Sequence, residues 1–329
     1  MNLTDSNITF ILSAYGPPGP LNYGVFLLML ALYLATVFSN LTLMLVISSD
    51  SSLHKPMYIF LFNLAINGLM GSSAVCPAIM QYLLVGLKTI SFKNCLMQMF
   101  FINVYGSCAY AILTVMAYDR YVCICKPLQY HTIMTPTKVR LLLSVVYIFP
   151  VCLFTVQVCL TSRLPMCKYT MYKLFCDNLT LVSLACVKTA LDNLFGLWLF
   201  FLFAVLPLLS VVLSYIKILT VSFKASGNAQ AKALKTCAPH LITFINFSSA
   251  ILFSVVYHRF NDYVTNEINA LMSVHYILIP PLLHPLIYGM KTHEIKKSFT
   301  KILRKNIFAI NLSFGRPNNM VFSFLLVKT

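Results

Sequence analysis

The stretch that decides the fold is CLMQMFFINVYGSCAYAILTVMAYDRYVCICKPLQYH, residues 95–131. Its first 24 residues contain no Asp, Glu, Lys or Arg, and they end at the adjacent pair Asp119 and Arg120. A helix rises about 1.5 Å per residue, so about 20 apolar residues cross a hydrocarbon core about 30 Å thick. The stretch therefore predicts a membrane-spanning helix that meets the aqueous surface at the Asp-Arg pair.

The composition of the whole chain supports a membrane protein. Hydrophobic residues make up 59% of it and charged residues only 10%, far from the balance of a soluble globular domain. The formal net charge of +16 does not indicate a nucleic-acid partner, because the basic residues flank apolar segments instead of forming a stripe on one soluble face.

Uncharged segments of this kind recur along the chain. They lie at 24–47, 57–86, 95–118, 141–162, 193–216, 236–257 and 268–290. Backbone groups in lipid must be hydrogen-bonded within their own segment, so each one predicts a helix. We therefore predict an all-α, seven-transmembrane helix bundle at 24–290, preceded by an extracellular segment at 1–23 and followed by a cytoplasmic part at 291–329.

The basic residues predict the orientation of the bundle. If residues 1–23 lie outside, 17 of the 24 basic residues lie inside, as the positive-inside tendency requires. The seven outside are Lys88, Lys93, Arg163, Lys168, Lys173, Lys188 and Arg259. The outer segment carries glycosylation sequons at Asn2 and Asn7. No cleavable signal peptide is expected, because no basic residue precedes the first apolar run, which is too long for a signal core.

After the last span, KTHEIKKSFTKILRK at 291–305 predicts an amphipathic helix on the inner membrane surface. Its apolar residues follow helical spacing and are Ile295, Phe299, Ile302 and Leu303.

Four of the 11 cysteines fall on the predicted outer, oxidising side. They are Cys95, Cys167, Cys176 and Cys186. Four cysteines allow three pairings, and the spacing does not choose among them. No paired Cys or His motif predicts a metal site, and no cofactor is expected.

Two helix faces are candidates for a ligand pocket. The first, on the third span, consists of Met99, Ile102, Asn103, Gly106, Ser107 and Tyr110, and the second, on the sixth, of Ser248, Ile251, Leu252 and Val255. The same spacing is equally typical of plain helix packing. His275 is either a polar contact for a ligand or an ordinary interior histidine.

Other function classes find little support. An enzyme needs convergent nucleophiles, bases or metal ligands, and the predicted spans contain no carboxylate and only three scattered histidines. A transporter or channel is the more serious alternative. Coupled transport usually uses buried ionisable groups and repeated halves, and the spans show neither.

An ordered set of motifs resembles the rhodopsin-type G protein-coupled receptors, and within them the odorant receptors. The motifs are LHKPMYIFLFNLA at 53–65, MAYDRYVCICKPLQYHTIM at 116–134, KALKTCAPHL at 232–241 and IPPLLHPLIYGMKTHEIKKSF at 279–299. SRLP at 162–165 and RFNDYV at 259–264 are similar to fish-type odorant receptors, which would suggest water-borne ligands.

The resemblance implies a function and a place in the cell. It implies a small-molecule odorant bound in the outer half of the bundle and a heterotrimeric G protein, of the stimulatory olfactory type, at the inner end. The residues implied in coupling and switching are Asp119, Arg120, Tyr121, Tyr215, Lys235, Pro285 and Tyr288. The resemblance also implies the bridges Cys95–Cys176 and Cys167–Cys186, contact with membrane lipid, and a location in the plasma membrane of olfactory neuron cilia.

Three positions depart from the pattern of the resembled family. Gly68 replaces a second-span aspartate, His284 replaces the asparagine before Pro285, and Pro239 replaces the serine before His240. These departures leave open a receptor-like copy with impaired signalling.

Overall fold

The computed structural model describes residues 8–15, 19–85, 88–187, 190–224, 227–259 and 266–313. Seven long helices form a bundle and an eighth follows it. They are α1 (Pro20–Ser49), α2 (Pro56–Leu84), α3 (Phe92–Cys125), α4 (Pro136–Thr161), α5 (Ala190–Phe223), α6 (Gly227–Arg259), α7 (Asn266–Lys291) and α8 (His293–Ser313). By length and composition α1 to α6 can each cross a membrane, and α7 occupies the seventh predicted span. The predicted seven-helix bundle, with a helix after its last span, is confirmed.

Some of the predictions lie outside the described part of the chain. These are the sequons at Asn2 and Asn7, the side chain of Val255, and residues 260–264 of the RFNDYV motif.

The helices are longer than the uncharged segments that predicted them. The third segment ends at residue 118, for example, but α3 continues through Asp119 and Arg120 to Cys125. Charge marks the edge of the hydrocarbon core, whereas helical hydrogen bonding continues into the interface. Several of the helices begin at a proline. Proline occupies the first turn of α1, α2 and α4, where its missing N–H would have no partner within the helix.

Helix α5 contains a π-helical turn at Phe201–Val205, directly before Pro207. Proline has no N–H to donate to the carbonyl four residues earlier, so the regular ladder is interrupted there. The wider turn absorbs that interruption within a helix that remains continuous.

Helix α3 is the central helix of the bundle. It packs against α2, α4 and α5 and also contacts α6. Cys108, Ala109, Ile112 and Leu113 on its middle turns are fully buried. Side chains placed on α3 therefore reach most of the other helices.

A small sheet covers the outer end of the bundle, and the sequence analysis did not predict it. Strand β1 (Thr9–Leu12) lies between β2 (Thr89–Ser91), to which it is antiparallel, and β3 (Thr170–Met171), to which it is parallel. Phe10 and Leu12 on β1 are buried, whereas their neighbours are exposed or partly exposed. Residues 8–15 are thus a packed part of the outer surface.

Two disulfides hold the outer loop in place. Cys95–Cys176 joins the first turn of α3 to the loop between α4 and α5, with 5.3 Å between the Cα atoms. Cys167–Cys186 closes the loop on itself, with a Cα separation of 4.9 Å. Of the three possible pairings, this is the one implied by the resemblance.

The same loop carries a further sequon on the predicted outer side, Asn178-Leu179-Thr180, which the sequence analysis missed. It opens a short helix, Asn178–Leu184, capped by Asp177, whose carboxylate accepts a hydrogen bond from the Thr180 backbone N–H. The Asn178 side-chain oxygen accepts a hydrogen bond from the Thr161 hydroxyl at 3.0 Å. This asparagine therefore helps to hold the loop against α4.

Helix α8 is anchored by a polar contact as well as by its apolar face. The Ser298 hydroxyl donates to Asp50, at the end of α1, with 2.8 Å between the oxygens, and Lys301 Nζ lies 3.7 Å from the same carboxylate. Ile295 is buried against the bundle, whereas Phe299 and Leu303 are exposed. The hydrogen bond from Ser298, helped by those from Ser52, lowers the pKa of Asp50 to about 2.

We expect Ser298→Ala to loosen α8. Hydrogen exchange of backbone amides at 293–304 should become about tenfold faster, because a hydrogen bond to a carboxylate is lost. The pKa of Asp50 is depressed below its usual 3.8, so the contribution of its charged form is present above that value and is lost as pH falls through about 2. The exchange ratio of variant to parent should therefore stay constant between pH 5 and 8.

Thr300→Ala is the matched control, since the exposed Thr300 hydroxyl bonds only to the Lys296 carbonyl of its own helix. Equal exchange in the Ser298 and Thr300 variants would contradict this role for Asp50.

Candidate functional site

The Asp-Arg pair lies at the inner end of α3 and is closed on itself. Arg120 donates to Asp119 from Nη2 at 2.5 Å and from Nε at 3.2 Å. Neighbouring residues on a helix do not normally face each other, so the long arginine side chain must fold back over the helix. Asp119 is fully buried and Arg120 is only 9% exposed.

A third group completes this pair. The Tyr130 hydroxyl donates to the other Asp119 oxygen at 2.7 Å, from the short helix Tyr130–Ile133 in the loop after α3. Burial, and then the nearby Asp119 charge, raise the pKa of Tyr130, so its hydroxyl remains a donor. One carboxylate thus holds the arginine and the inner loop together. Breaking such a buried pair leaves an uncompensated charge, which is strongly unfavourable.

A second polar contact joins three helices nearly two turns of α3 away from the Asp-Arg pair. The His240 ring of α6 lies between the Tyr215 hydroxyl of α5 and the Leu113 carbonyl of α3, at 2.8 Å from each. A carbonyl only accepts, so Nε2 of the neutral ring carries the hydrogen and Nδ1 accepts from Tyr215. Any movement of α6 away from α3 has to break this contact.

The other residues predicted for coupling and switching are spread around the inner half. Pro285 and Tyr288 of α7 are buried, Lys235 of α6 is exposed, and Tyr121 is partly buried against the Tyr118 ring. Tyr288, like Tyr215, lies close enough to Arg120 to interact with its charge. Together these residues surround the inner end of the bundle.

Two of the departures from the family pattern lie between α2, α6 and α7. A Cβ on Gly68 would stand 3.2 Å from Pro281 Cβ, so the small residue lets α2 and α7 approach closely. Asn40 of α1 donates to the Pro281 carbonyl at 2.9 Å, which is the group that Pro285 leaves without its helical N–H donor. His284 is buried against the Phe247 ring, and its Nε2 has no hydrogen-bond partner among the described residues.

The middle of the bundle is filled by aromatic rings from α3, α6 and α7. Phe247 is fully buried, with ring centroids 5.4–6.1 Å from those of Tyr105, Tyr110 and Tyr276. The Tyr110 hydroxyl donates to Ser248 at 2.8 Å and so joins α3 to α6.

The predicted pocket residues of α3 do not all face the same neighbour. Met99, Ile102 and Ser107 are buried. Asn103 donates to Gln157 of α4 at 3.3 Å, away from α6. A Cβ on Gly106 would overlap the Tyr276 hydroxyl, so this glycine accommodates α7.

On α6 and α7 the predicted pocket residues also divide. Ser248 and Ile251 are partly buried, whereas Leu252 is 63% exposed and faces outward, which differs from the expectation of a pocket wall. His275 is partly buried on α7. Trp198 is 47% exposed on α5.

Comparison with known proteins supplies the family. The sequence profile described as "Olfactory receptor" matches residues 29–306. Olfactory receptor 52K1 of Homo sapiens is 34% identical over 278 residues, which cover 84% of this chain and 88% of the relative. Olfactory receptor-like protein OLF4 of Canis lupus familiaris is 33% identical over 297 residues, covering 90% and 96%. The chain belongs to the olfactory receptor family.

Membership has direct consequences. This chain is a G protein-coupled receptor of the odorant type and a multi-pass membrane protein, and it is not an enzyme. The transporter alternative is thereby set aside. The three departures at Gly68, Pro239 and His284 are features of one member of a receptor family.

Sequence reasoning missed several residues of these clusters. Tyr130 lies within the stretch 95–131, 11 residues after Asp119, and that spacing was the only sequence feature that could have pointed to it. His240 was noted only as one of three scattered histidines, and Phe247 and Tyr276 were not singled out. Helical spacing shows which residues share a face but not which helix that face meets.

We expect Gly106→Ala to destabilise the receptor and Tyr276→Phe to relieve the effect. The new methyl group overlaps the Tyr276 hydroxyl but would lie 3.6 Å from Cζ, an ordinary contact. Overpacking of this kind costs about 1–3 kcal/mol. Thermal unfolding of the purified full-length receptor should show a lower midpoint for Gly106→Ala and recovery in the double variant.

Gly289→Ala provides the control, because a Cβ there meets nothing within 4 Å. It should leave the midpoint unchanged or slightly raised. An additive double variant, with no recovery, would show that Tyr276 is not what limits residue 106.

Proposed function

We propose that the receptor binds a small odorant in the outer half of the bundle and couples to a heterotrimeric G protein at its inner end, through Asp119 and Arg120. The closed contact among Asp119, Arg120 and Tyr130 carries this proposal. It is a buried charged group at the inner surface that can be held in one state and released in another.

The route between the two ends consists of contacts between helices. Tyr110 of α3 bonds to Ser248 of α6, and about two turns further in His240 of α6 bonds to Leu113 of α3 and Tyr215 of α5. A ligand wedged between α3 and α6 changes the spacing that both contacts require. Binding then shifts the population toward a bundle that is open on the inner side.

The chemistry of the outer site indicates its ligand class. The surroundings of Met99 and Ile102 are apolar, Ser107 is buried, and His275 Nδ1 has no hydrogen-bond partner among the described residues. A mostly apolar pocket with one or two free polar groups suits a small molecule with a single hydrogen-bonding function. The α3–α6 wall at Ser107, Tyr110, Ser248 and Ile251 forms the proposed site, and Leu252 is not part of it.

The cellular setting follows from this function. We place the receptor in the plasma membrane of olfactory neuron cilia, with residues 1–23 outside and a stimulatory olfactory G protein at Arg120. The excess of basic residues on the opposite side of the bundle supports this orientation.

The first test concerns the inner contact. Tyr130→Phe removes one hydrogen bond to a carboxylate, worth about 1.5–3 kcal/mol, and should raise ligand-free cyclic AMP production roughly tenfold or more per receptor at the cell surface. Asp119→Asn should raise it as well, because the arginine is released. Adding Arg120→Ala to Asp119→Asn should abolish both basal and odorant-driven signalling, without leaving a buried unpaired charge.

Tyr118→Phe is the control on the same side of the membrane, since no described residue hydrogen-bonds to the Tyr118 hydroxyl. If the Asp119→Asn/Arg120→Ala receptor, present at parental surface levels, still signalled normally, the role assigned to Arg120 would be wrong.

The second test concerns the outer site. Ser107→Ala should reduce the potency of ligands with a hydrogen-bonding group by about tenfold, the effect of about 1–2 kcal/mol, and leave purely apolar ligands unaffected. Concentration–response curves over a panel of alcohols, acids, amines and hydrocarbons measure this. Ser249→Ala is the matched control, because the exposed Ser249 hydroxyl bonds to the Asn246 carbonyl of its own helix. Identical curves for Ser107→Ala and the parent would remove Ser107 from the site.

A further inference from the structure

A groove on the membrane-facing side of the bundle has no part in the function proposed above. It has a volume of about 360 Å³ and lies between α3, α4 and α5 in the inner half of the membrane. Its floor is formed by α3, and its walls by α4 and α5, which both pack on α3. Helices α4 and α5 meet in their outer halves, where Phe203 packs on Phe149 and Phe154, but the part of α5 at Leu206–Phe223 makes few contacts with α4. The lining residues are Thr114, Val115, Tyr118, Lys138, Leu142, Ser210 and Ser214.

The groove is apolar in effect, although three of its residues carry hydroxyl groups. Thr114, Ser210 and Ser214 each donate to the carbonyl four residues earlier in their own helix, at 2.8 Å. Their hydroxyl hydrogens are therefore already used, and the surface that remains is mostly carbon. Such a surface suits a hydrocarbon chain better than a polar ligand.

One end of the groove is positively charged. Lys138 lies in the first turn of α4, which begins at Pro136, and its Nζ stands 5.8 Å from the centroid of the Tyr118 ring. The side chain is exposed at the cytosolic edge, whereas Thr114 and Ser210 lie one turn deeper than Tyr118 and Ser214. The N-terminal end of the α4 helix dipole adds to the positive potential there. Along the membrane normal, the groove is thus positively charged at its cytosolic end and apolar further in.

We propose that this groove binds an anionic glycerophospholipid of the inner leaflet. One acyl chain lies against Val115 and Leu142, and the net negative charge of the headgroup pairs with Lys138, which a zwitterionic headgroup satisfies less well. The order of the two chemistries, a cation at the interface and hydrocarbon below it, matches that of a phospholipid in the cytoplasmic leaflet, where anionic lipids are concentrated. The bound chain fills the gap that α4 and α5 leave over α3.

The experiment uses the full-length receptor in phosphatidylcholine nanodiscs. Each preparation contains a small fraction of a photo-crosslinking lipid with a diazirine in its acyl chain, either phosphatidylserine or phosphatidylcholine with the same chains. Cross-linked peptides are identified by mass spectrometry. The phosphatidylserine probe should label the peptides around Val115 and Leu142 several-fold more than the phosphatidylcholine probe.

Two pairs of variants test the headgroup and the chain separately. Lys138→Ala should lower the ratio of phosphatidylserine to phosphatidylcholine labelling about fivefold, the effect expected of one basic residue near an anionic surface. Arg140→Ala, on the same helix but outside the lining, should leave the ratio unchanged. Leu142→Trp should fill the groove and suppress labelling by both probes, whereas Leu141→Trp, at a side chain 60% exposed beside it, should not.

Several outcomes would overturn the proposal. Equal labelling by the two probes would show that the groove does not select an anionic headgroup. An unchanged ratio in Lys138→Ala would remove the lysine from the site. Displacement of the probe by soluble glycerophosphoserine, as effectively as by unlabelled phosphatidylserine, would show a site for the headgroup alone. The comparison of the two lipids on the unmodified receptor and the surface variant Lys138→Ala remains decisive even if Leu142→Trp does not fold.

Discussion

The absence of water in the hydrocarbon core is the constraint on which the whole structure depends. Backbone groups there are hydrogen-bonded within helices, and polar side chains must find partners across helices. Asn40 donates to the Pro281 carbonyl of α7 and Asn67 of α2 donates to the Tyr105 carbonyl of α3. Each polar side chain buried in this way fixes the distance between two helices. These hydrogen bonds therefore pair the buried polar groups and also set the arrangement of the helices in the bundle.

Helix α3 is where these contacts meet, and small residues make that possible. A Cβ on Gly71 of α2 would overlap the Tyr105 ring, and a Cβ on Gly106 would overlap Tyr276. Close approach at these two points brings the aromatic rings of α3 and α7 against Phe247 of α6. The same helix then carries Asp119 and Arg120 to the inner surface. A change in the outer half thus acts on a rigid element that ends in the charged pair.

The departures from the family pattern take on a physical meaning in this setting. Gly68 offers no carboxylate between α2 and α7, and the place of such a side chain is taken by close packing against Pro281. Pro239 precedes a histidine that still makes both of its contacts, to Tyr215 and Leu113. His284 retains a bulky ring against Phe247. The inner contact between Asp119 and Arg120 is intact beside all three departures.

The sequence by itself determined that there are seven membrane spans, roughly where they lie, and where the charged pair reaches the surface, because these depend on the local content of apolar residues and on backbone hydrogen bonding. It also placed four cysteines on one side of the membrane. Only the tertiary structure decided that Tyr130 closes the Asp119 contact, that His240 joins three helices, and that Leu252 faces outward. These features depend on how the helices are rotated about their axes and on which helices meet. Lipid tails are as apolar as the side chains of a neighbouring helix, so an apolar face can pack equally well against either. Hydrophobicity therefore identifies a span without choosing the face that it buries.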